Sequence, residues 1–185
     1  MKKIERRKWL LFALASVLML GIIACAKPKK TLVVYFSATG QTEAAAQRIA
    51  TALGAEIQAI VPEQLYTPED LDWRIPDSRN QIEEHDRAIR PAILPMDLNT
   101  EYYDTIYIGY PIWAGEAPRV INTFVEAYNL KGIVLKPFCT SGMTPVDKSV
   151  DSLRATYPDL LWQDGLRMND VSEEEFNAFI SKTQY

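Results

Sequence analysis

A run of small and hydroxylated residues, 37–42, carries the side-chain types that bind a phosphate group. It holds three hydroxyls, a glutamine and one glycine, but neither the lysine of a G-x-x-x-x-G-K-[ST] loop nor the pattern G-x-G-x-x-G. Helical spacing begins directly afterwards, so the unpaired backbone N–H groups of a helix start would face this loop. The pattern indicates a site for a phosphate monoester. An ordinary turn capped by Thr39 or Thr42 is the alternative.

A strand and a helix are expected to position this loop. Residues 31–36 are rich in β-branched and aromatic types, which predicts a buried strand. Apolar residues then recur at helical spacing, which predicts an amphipathic helix. They are Ala45, Ile49, Ala52 and Leu53.

Strand and helix patterns alternate along the rest of the chain. Further strands are predicted at residues 56–61, 105–110, 133–138 and 160–168, and Pro137 is expected to end the fourth ladder. Helical stripes occupy residues 118–128 and 146–157, and Ser172 with Glu175 forms a capping box before a last helix. The alternation indicates one α/β domain, a three-layer sandwich around a five-stranded parallel sheet.

The connection between the second and third strands, residues 62–100, is long and rich in proline. A helix is predicted at 78–89, with Ile82 and Ile89 facing inward, and Tyr66 and Trp73 lie before it. Such a segment is either a lid over a ligand or a solvated crossover in which the two aromatic side chains pack.

In a sheet of order 2-1-3-4-5, ligands bind beyond the carboxyl ends of strands 1 and 3. Besides the hydroxylated loop, this edge would hold residues 111–118, where Trp113 stands in a turn between two prolines. It would also hold residues 139–145, which are again small and hydroxylated. A phosphate cradle, an aromatic platform and a flexible polar loop on one edge suit a planar, phosphorylated ligand.

These three segments resemble the flavin-contact loops of flavodoxins. SATGQT at 37–42 is similar to the phosphate loop of the family, and GYPIWAG at 109–115 and PFCTSG at 137–142 look like the two later loops of a flavodoxin-like subfamily. The resemblance implies an FMN cofactor, with Trp113 against the face of its ring. The implied phosphate contacts are Ser37, Thr39, Gly40, Gln41 and Thr42; the implied ring contacts are Pro111, Ile112, Trp113, Ala114, Gly115, Thr140, Ser141 and Gly142.

The chain departs from the family pattern at two places. Ala114 stands where the family commonly has a second aromatic residue, and residues 143–146 replace a run rich in glycine and serine. The first change could loosen ring stacking, and the second alters the loop near the pyrimidine edge of the ring. Both changes also allow an alternative, in which the chain has lost flavin and serves as a surface-anchored binding module.

The expected chemistry belongs to the flavin, while the protein binds it, orients it and sets its electrostatics. Glu116 would disfavour an anionic reduced flavin if its side chain pointed inward. The chain has no nicotinamide-binding domain, so the resemblance favours an electron carrier, or a reductase of a small acceptor such as a quinone, that depends on a redox partner.

The first 25 residues indicate a membrane tether. A basic start is followed by about 16 apolar or small residues, a length typical of a signal peptide. The segment ends in Ile-Ile-Ala-Cys, which resembles a bacterial lipobox and implies lipid attachment at Cys25. We therefore expect a signal peptide at 1–24, a lipidated linker at 25–30 and the domain at 31–185, outside the cytoplasmic membrane. An uncleaved helical anchor is the alternative.

Charge and cysteine content narrow the remaining function classes. The net charge of −4 includes the basic start, so the domain is more acidic still, which argues against a nucleic-acid partner. Cys139 invites a C-x5-R phosphatase interpretation, but Pro145 stands where the arginine is needed. His85 is the single histidine, and no second group of conventional zinc ligands accompanies it.

Overall fold

A computed structural model describes residues 30–181 of the 185-residue chain. The predicted signal peptide, the lipidation site at Cys25 and the linker up to residue 29 lie outside the described residues.

The core of the fold is a parallel sheet of order β2-β1-β3-β4-β5, as predicted, with β6 also paired to β4. The long strands β1, β3 and β4 are rich in β-branched and aromatic residues, a composition that packs well on a pleated surface. The strands are β1 Lys30–Tyr35, β2 Glu56–Ala59, β3 Tyr103–Pro111, β4 Val134–Thr140, β5 Leu161–Trp162 and β6 Leu166–Arg167.

Helices cover both faces of this sheet. Alternate residues of β1 point to opposite faces: Leu32 and Val34 join a core with α4 and α5, while Val33 joins a core with α1 and α6. The predicted three-layer sandwich is therefore confirmed. The helices are α1 Gln41–Leu53, α2 Pro68–Leu71, α3 Arg79–His85, α4 Arg119–Ala127, α5 Asp147–Thr156 and α6 Glu173–Ser181, with a 3₁₀ turn at Thr100–Tyr102.

The capping box before α6 and the apolar stripe of α1 can be compared directly with their predictions. The capping box is confirmed: the Ser172 hydroxyl accepts the Glu175 N–H at 3.2 Å, and the Glu175 carboxylate accepts the Ser172 N–H at 3.0 Å. In α1, Ala52 is exposed rather than part of the inward stripe. Thr42, Ala46, Ile49 and Ala50 are the buried residues of α1.

The predicted fifth strand, residues 160–168, is split into β5 and β6, and Pro137 is the cause. On the side of β4 that faces β5 and β6, the Leu135 carbonyl accepts the Gln163 N–H and the Cys139 carbonyl accepts the Met168 N–H, each at 2.8 Å. Pro137 lies between them and has no N–H to donate, so the ladder is interrupted there. The β3 side is unaffected, which is why β4 continues to Thr140 instead of ending near the proline.

The long crossover differs from its prediction in how its helix is buried. α3 ends at His85, Ile82 is 50% exposed, and the buried side chains are the polar Asn80 and Glu83. Trp73 is 71% exposed rather than packed, whereas Tyr66 is half-buried against the core.

Candidate functional site

The loops after β1, β3 and β4 meet at the carboxyl edge of the sheet, as the strand order requires. Two hydrogen bonds join them. The hydroxyls of Thr42 and Thr140 lie 2.8 Å apart in a buried contact, and the Ile112 N–H donates to the Thr140 carbonyl at 2.9 Å. Thr140 thus links the helix that follows the first loop to the starts of the other two.

The loop before α1 leaves the start of that helix without a side-chain cap. Gly40 occupies the N-cap with φ 87°, a left-handed conformation that favours glycine, and the Ser37 hydroxyl accepts its N–H at 3.1 Å. Neither Thr39 nor Thr42 caps the helix, so the capped-turn alternative is wrong. The N–H groups of the first helical turn therefore remain available to an anion, which the helix dipole favours at this end.

The loop after β3 makes a two-residue turn that presents Trp113. The backbone N–H groups of Trp113 and Glu116 each donate to the carbonyl of the other, at 3.0 and 2.8 Å. The two central residues, Ala114 and Gly115, have φ values of 46° and 85°. Both are left-handed, which is characteristic of a type I′ turn. Gly115 suits this conformation, while the side chain of Ala114 strains it.

We expect Ala114→Gly to raise the free energy of unfolding by about 0.5–1 kcal/mol, because relief of the left-handed strain exceeds the extra chain entropy of glycine. Urea denaturation measures the change. Ala52→Gly is a suitable control, since Ala52 is exposed in a regular helix, where glycine is destabilising. A loss of stability in Ala114→Gly would contradict the strained turn.

The Trp113 indole packs against two other aromatic rings. Its centroid lies 5.5 Å from that of Phe36, at an interplanar angle of 88°, and 5.0 Å from that of Tyr66, at 73°. Both contacts are edge-to-face, an arrangement that aromatic pairs prefer. The described part of the chain therefore places no parallel-stacked ring on the indole.

Tyr66 is held in place by an ion pair that the sequence patterns did not reveal. Its hydroxyl donates to the Glu83 carboxylate at 2.7 Å, and Glu83 pairs with Arg79 at 2.6 Å. The Arg79 guanidinium also lies 3.8 Å above the Tyr66 ring. Burial, and then Glu83, raise the pKa of Tyr66. Arg79 and Glu83 are four residues apart on a helix, which was the available signal, but nothing local connects them to Tyr66.

The loop after β4 is anchored by residues from near the C-terminus. The Ser141 N–H donates to the Asn169 side chain at 2.7 Å, and the Arg167 guanidinium donates to the Ser141 carbonyl at 3.2 Å. Of the three predicted ring contacts in this loop, Thr140 is buried and bonded to Thr42, Ser141 is half-buried and Gly142 is exposed. No sequence pattern indicates a role for Arg167 or Asn169.

A family model described as flavodoxin matches residues 30–183. The chain belongs to the flavodoxin family.

Solved structures agree with this family membership. A candidate flavoprotein from Bacteroides eggerthii is 45% identical, with a TM-score of 0.79, over 82% of this chain and 96% of that one. A candidate flavoprotein from Bacteroides uniformis is 42% identical, with the same TM-score, over 83% and 99%. A flavoprotein from Lactobacillus acidophilus, crystallised in complex with FMN, is 24% identical, with a TM-score of 0.66, over 82% and 98%. Among curated proteins, no sequence matches this chain significantly.

An ion pair and a lysine lie next to the Trp113 turn at the carboxyl edge of the sheet. The Glu116 carboxylate pairs with Arg87 at 2.8 Å, and its side chain is 12% exposed, so its charge is compensated. The Lys148 side chain lies over Gly115, where an added Cβ would be 3.0 Å from its Nζ. Within residues 30–181, no group of three or more His, Cys, Asp or Glu side chains could hold a metal ion. The same range contains no helix with the length and apolar character needed to cross a membrane.

Cys139 lies in β4 of this flavodoxin, with 0% of its surface exposed. Burial raises the pKa of its thiol to about 12. In a protein of residues 26–185, where it is the single cysteine, we expect no reaction with Ellman's reagent at pH 8 while the fold is intact, since the thiolate is the reactive form. Absorbance of released thionitrobenzoate checks this, and the same protein in guanidinium chloride provides the positive control. Rapid stoichiometric labelling of the folded protein would contradict the prediction.

Proposed function

We propose that this flavodoxin binds FMN at the carboxyl edge of its sheet and acts in electron transfer, as a carrier or as a reductase of a small acceptor such as a quinone. The observation that carries the proposal is the uncapped start of α1 at Gly40, on the same edge as the Trp113 turn. The Lactobacillus acidophilus relative, whose crystal structure is a complex with FMN, supports the same cofactor.

The β1–α1 loop fits a phosphate monoester. Thr39, Gly40 and Gln41 are exposed, and an added Cβ at Gly40 would meet no atom within 4 Å, so the loop is open to a ligand. The first-turn N–H groups of α1 and the hydroxyls of Ser37 and Thr39 would supply hydrogen-bond donors. No lysine is needed, because the helix dipole and these donors together favour a dianion.

The other two loops would hold the flavin ring. Trp113 offers an aromatic surface, and exposed Ala114 and Gly142 leave backbone groups near the edge of the sheet. Bound FMN supplies one- and two-electron redox chemistry, and the protein orients it and tunes its charge. Arg87 compensates the negative charge of Glu116 beside the Trp113 turn. The Lys148 ammonium, which lies over Gly115, would favour negative charge on a bound ligand.

A lipid tether at Cys25 would set the direction in which this edge faces. Cys25 precedes β1 by five positions, and the proposed site follows the other end of that six-residue strand, about 20 Å further from the tether. The site would therefore face away from the lipid, on the outer side of the cytoplasmic membrane. Incorporation of labelled palmitate that is lost in Cys25→Ala tests the tether.

A titration of residues 26–185 with FMN tests the flavin site. We expect saturable one-to-one binding with quenching of flavin fluorescence and a shift of visible absorbance. Riboflavin is the matched control ligand, because it has the same ring but no phosphate. Its affinity should be lower by at least about tenfold, the loss expected for charge-assisted hydrogen bonds.

Two outcomes would contradict the proposal in different ways. Equal affinities for FMN and riboflavin would show that the β1–α1 loop does not bind the phosphate. Absence of binding by a folded sample would instead favour the flavin-free binding module, and the search would turn to protein partners at the membrane surface.

A further inference from the structure

A polar cavity lies between α4, α5 and the end of the long crossover, apart from the proposed phosphate loop. Its volume is about 70 Å³, room for two or three waters or one small ion. Its polar lining consists of three arginines and one carboxylate, that of Glu116, together with Asn122, Ser149, Ser152 and Thr156. These elements cover the sheet face opposite α1, so the cavity is distinct from the β1–α1 loop.

One of the three arginines, Arg119, is a buried cation that makes no direct ion pair within the described residues. Arg87 pairs with Glu116 at 2.8 Å and Arg90 pairs with Glu126 at 2.9 Å, but no carboxylate of residues 30–181 lies within 4 Å of the Arg119 guanidinium. Arg119 is only 7% exposed, and it donates hydrogen bonds to the backbone carbonyls of Glu83 and Glu84, at 3.0 and 3.4 Å.

A buried charge normally has a partner of opposite sign, because its desolvation is otherwise uncompensated. Burial lowers the pKa of Arg119 most strongly; the nearby Glu116 charge raises it, the charges of Arg87 and Arg90 lower it, and that of Glu83 raises it. The carbonyls at the end of α3 solvate the Arg119 guanidinium but carry no net charge. A negatively charged ligand in the cavity would give the Arg119 guanidinium a direct ionic partner.

Asn122 adds a hydrogen-bond acceptor to the same cavity. It is 6% exposed, and its Oδ1 has no hydrogen-bond partner within the described residues. The orientation of its amide is determined by Tyr157, whose hydroxyl donates to Glu126 at 2.6 Å and so can only accept from the Asn122 Nδ2, at 3.0 Å. A ligand of this cavity would therefore need an O–H or N–H donor as well as a negative charge.

We propose that this cavity binds a small oxyanion that carries its own hydroxyl donor, of which hydrogen phosphate is the simplest example. The anion pairs with Arg119 and with the N–H groups of Arg87 that Glu116 does not use, and its hydroxyl donates to Asn122. Arg87 also connects the cavity to the Trp113 turn through Glu116. The site does not depend on FMN binding.

Isothermal titration calorimetry of the full-length protein in mild detergent, with saturating FMN to fill the β1–α1 loop, tests this site. The probes are inorganic phosphate and sulfate at pH 7, because sulfate has the same size but carries no proton to donate. We expect saturable one-to-one binding of phosphate and weaker binding of sulfate. Arg87→Gln should weaken phosphate binding by about tenfold, as expected for a charged hydrogen-bond partner. The Arg87 side chain is 68% exposed, so the variant should fold.

Two control variants separate this cavity from other anion sites. Arg74→Gln removes an equally exposed arginine, paired with Asp72 outside the cavity, and should leave phosphate binding unchanged. Thr39→Val alters the β1–α1 loop and should also leave it unchanged. Absence of saturable binding would overturn the proposal, as would weakening by Thr39→Val but not by Arg87→Gln. Equal affinities for sulfate and phosphate would overturn the assigned hydroxyl donor.

Discussion

Gly109→Ala should lower the free energy of unfolding by about 3 kcal/mol, because an added methyl group would overlap the core ring of Phe138. An ideal Cβ at Gly109 would lie 2.2 Å from Cζ and 2.4 Å from Cε2 of that ring. Phe138 is the residue opposite Gly109 in the β3–β4 ladder and is 0% exposed, so the ring has no open space to enter. Urea denaturation followed by circular dichroism measures the loss.

Gly142→Ala is the matched control for this substitution. Gly142 is exposed, its φ is not positive, and a Cβ there would meet no atom within 4 Å. Its stability should change by less than about 0.5 kcal/mol. Equal stabilities of the two variants would show that the Phe138 ring can move aside.

This packing also matters for the site. The Gly109 carbonyl accepts the Phe36 N–H at 2.9 Å, and Phe36 in turn packs against Trp113. A shift of β3 at Gly109 would therefore move the floor of the Trp113 turn. Gly109→Ala should therefore weaken flavin binding as well as stability.

The strands of the sheet could be predicted from the sequence because each is marked by the types of a few consecutive residues. Strands β1, β3 and β4 each contain an apolar run that the sequence alone reveals. The strand order then brings the loops that follow them to one edge of the sheet. The hydrogen bond between Thr42 and Thr140, which are 98 positions apart, is a direct consequence of that order.

The parts that the sequence did not predict depend on contacts between distant or polar residues. An apolar pattern placed Ile82 inward, but α3 buries Glu83 instead, because Arg79 and the Tyr66 hydroxyl satisfy that carboxylate. Similarly, Asn169 holds the Ser141 backbone from 28 positions away. Periodicity reports apolar faces, so a polar residue that is buried with its partners leaves no such signal.

Pro137 shows a related limit. A proline removes one N–H, and its effect depends on which neighbouring strand that N–H would have faced. The sequence shows where the proline is but not which neighbouring strand it faces, so it predicts that the fourth strand ends near Pro137 and that the fifth is continuous. In the structure β4 continues to Thr140, and the interruption falls between β5 and β6.

Trp113→Ala should weaken FMN binding by about 10- to 100-fold, the effect of removing an aromatic surface on which a planar ring stacks. Trp113→Phe keeps a smaller ring in the same turn and should lose less. The titration of flavin fluorescence described above measures both affinities. Trp73→Ala is the control, since Trp73 is 71% exposed on the crossover, away from the three loops. Unchanged FMN affinity in Trp113→Ala would show that the indole does not contact the ring.

An indirect effect of Trp113→Ala on the loop structure must be separated from lost stacking. The indole also supports Phe36 and Tyr66, so its removal leaves a gap beneath the crossover. Tyr66→Leu removes a neighbour of the indole while leaving Trp113 itself in place. If stacking on Trp113 provides the affinity, Tyr66→Leu should cost stability but change FMN affinity by less than about threefold, well below the stacking effect. A loss as large as that of Trp113→Ala would instead assign the affinity to the packing of the aromatic group as a whole.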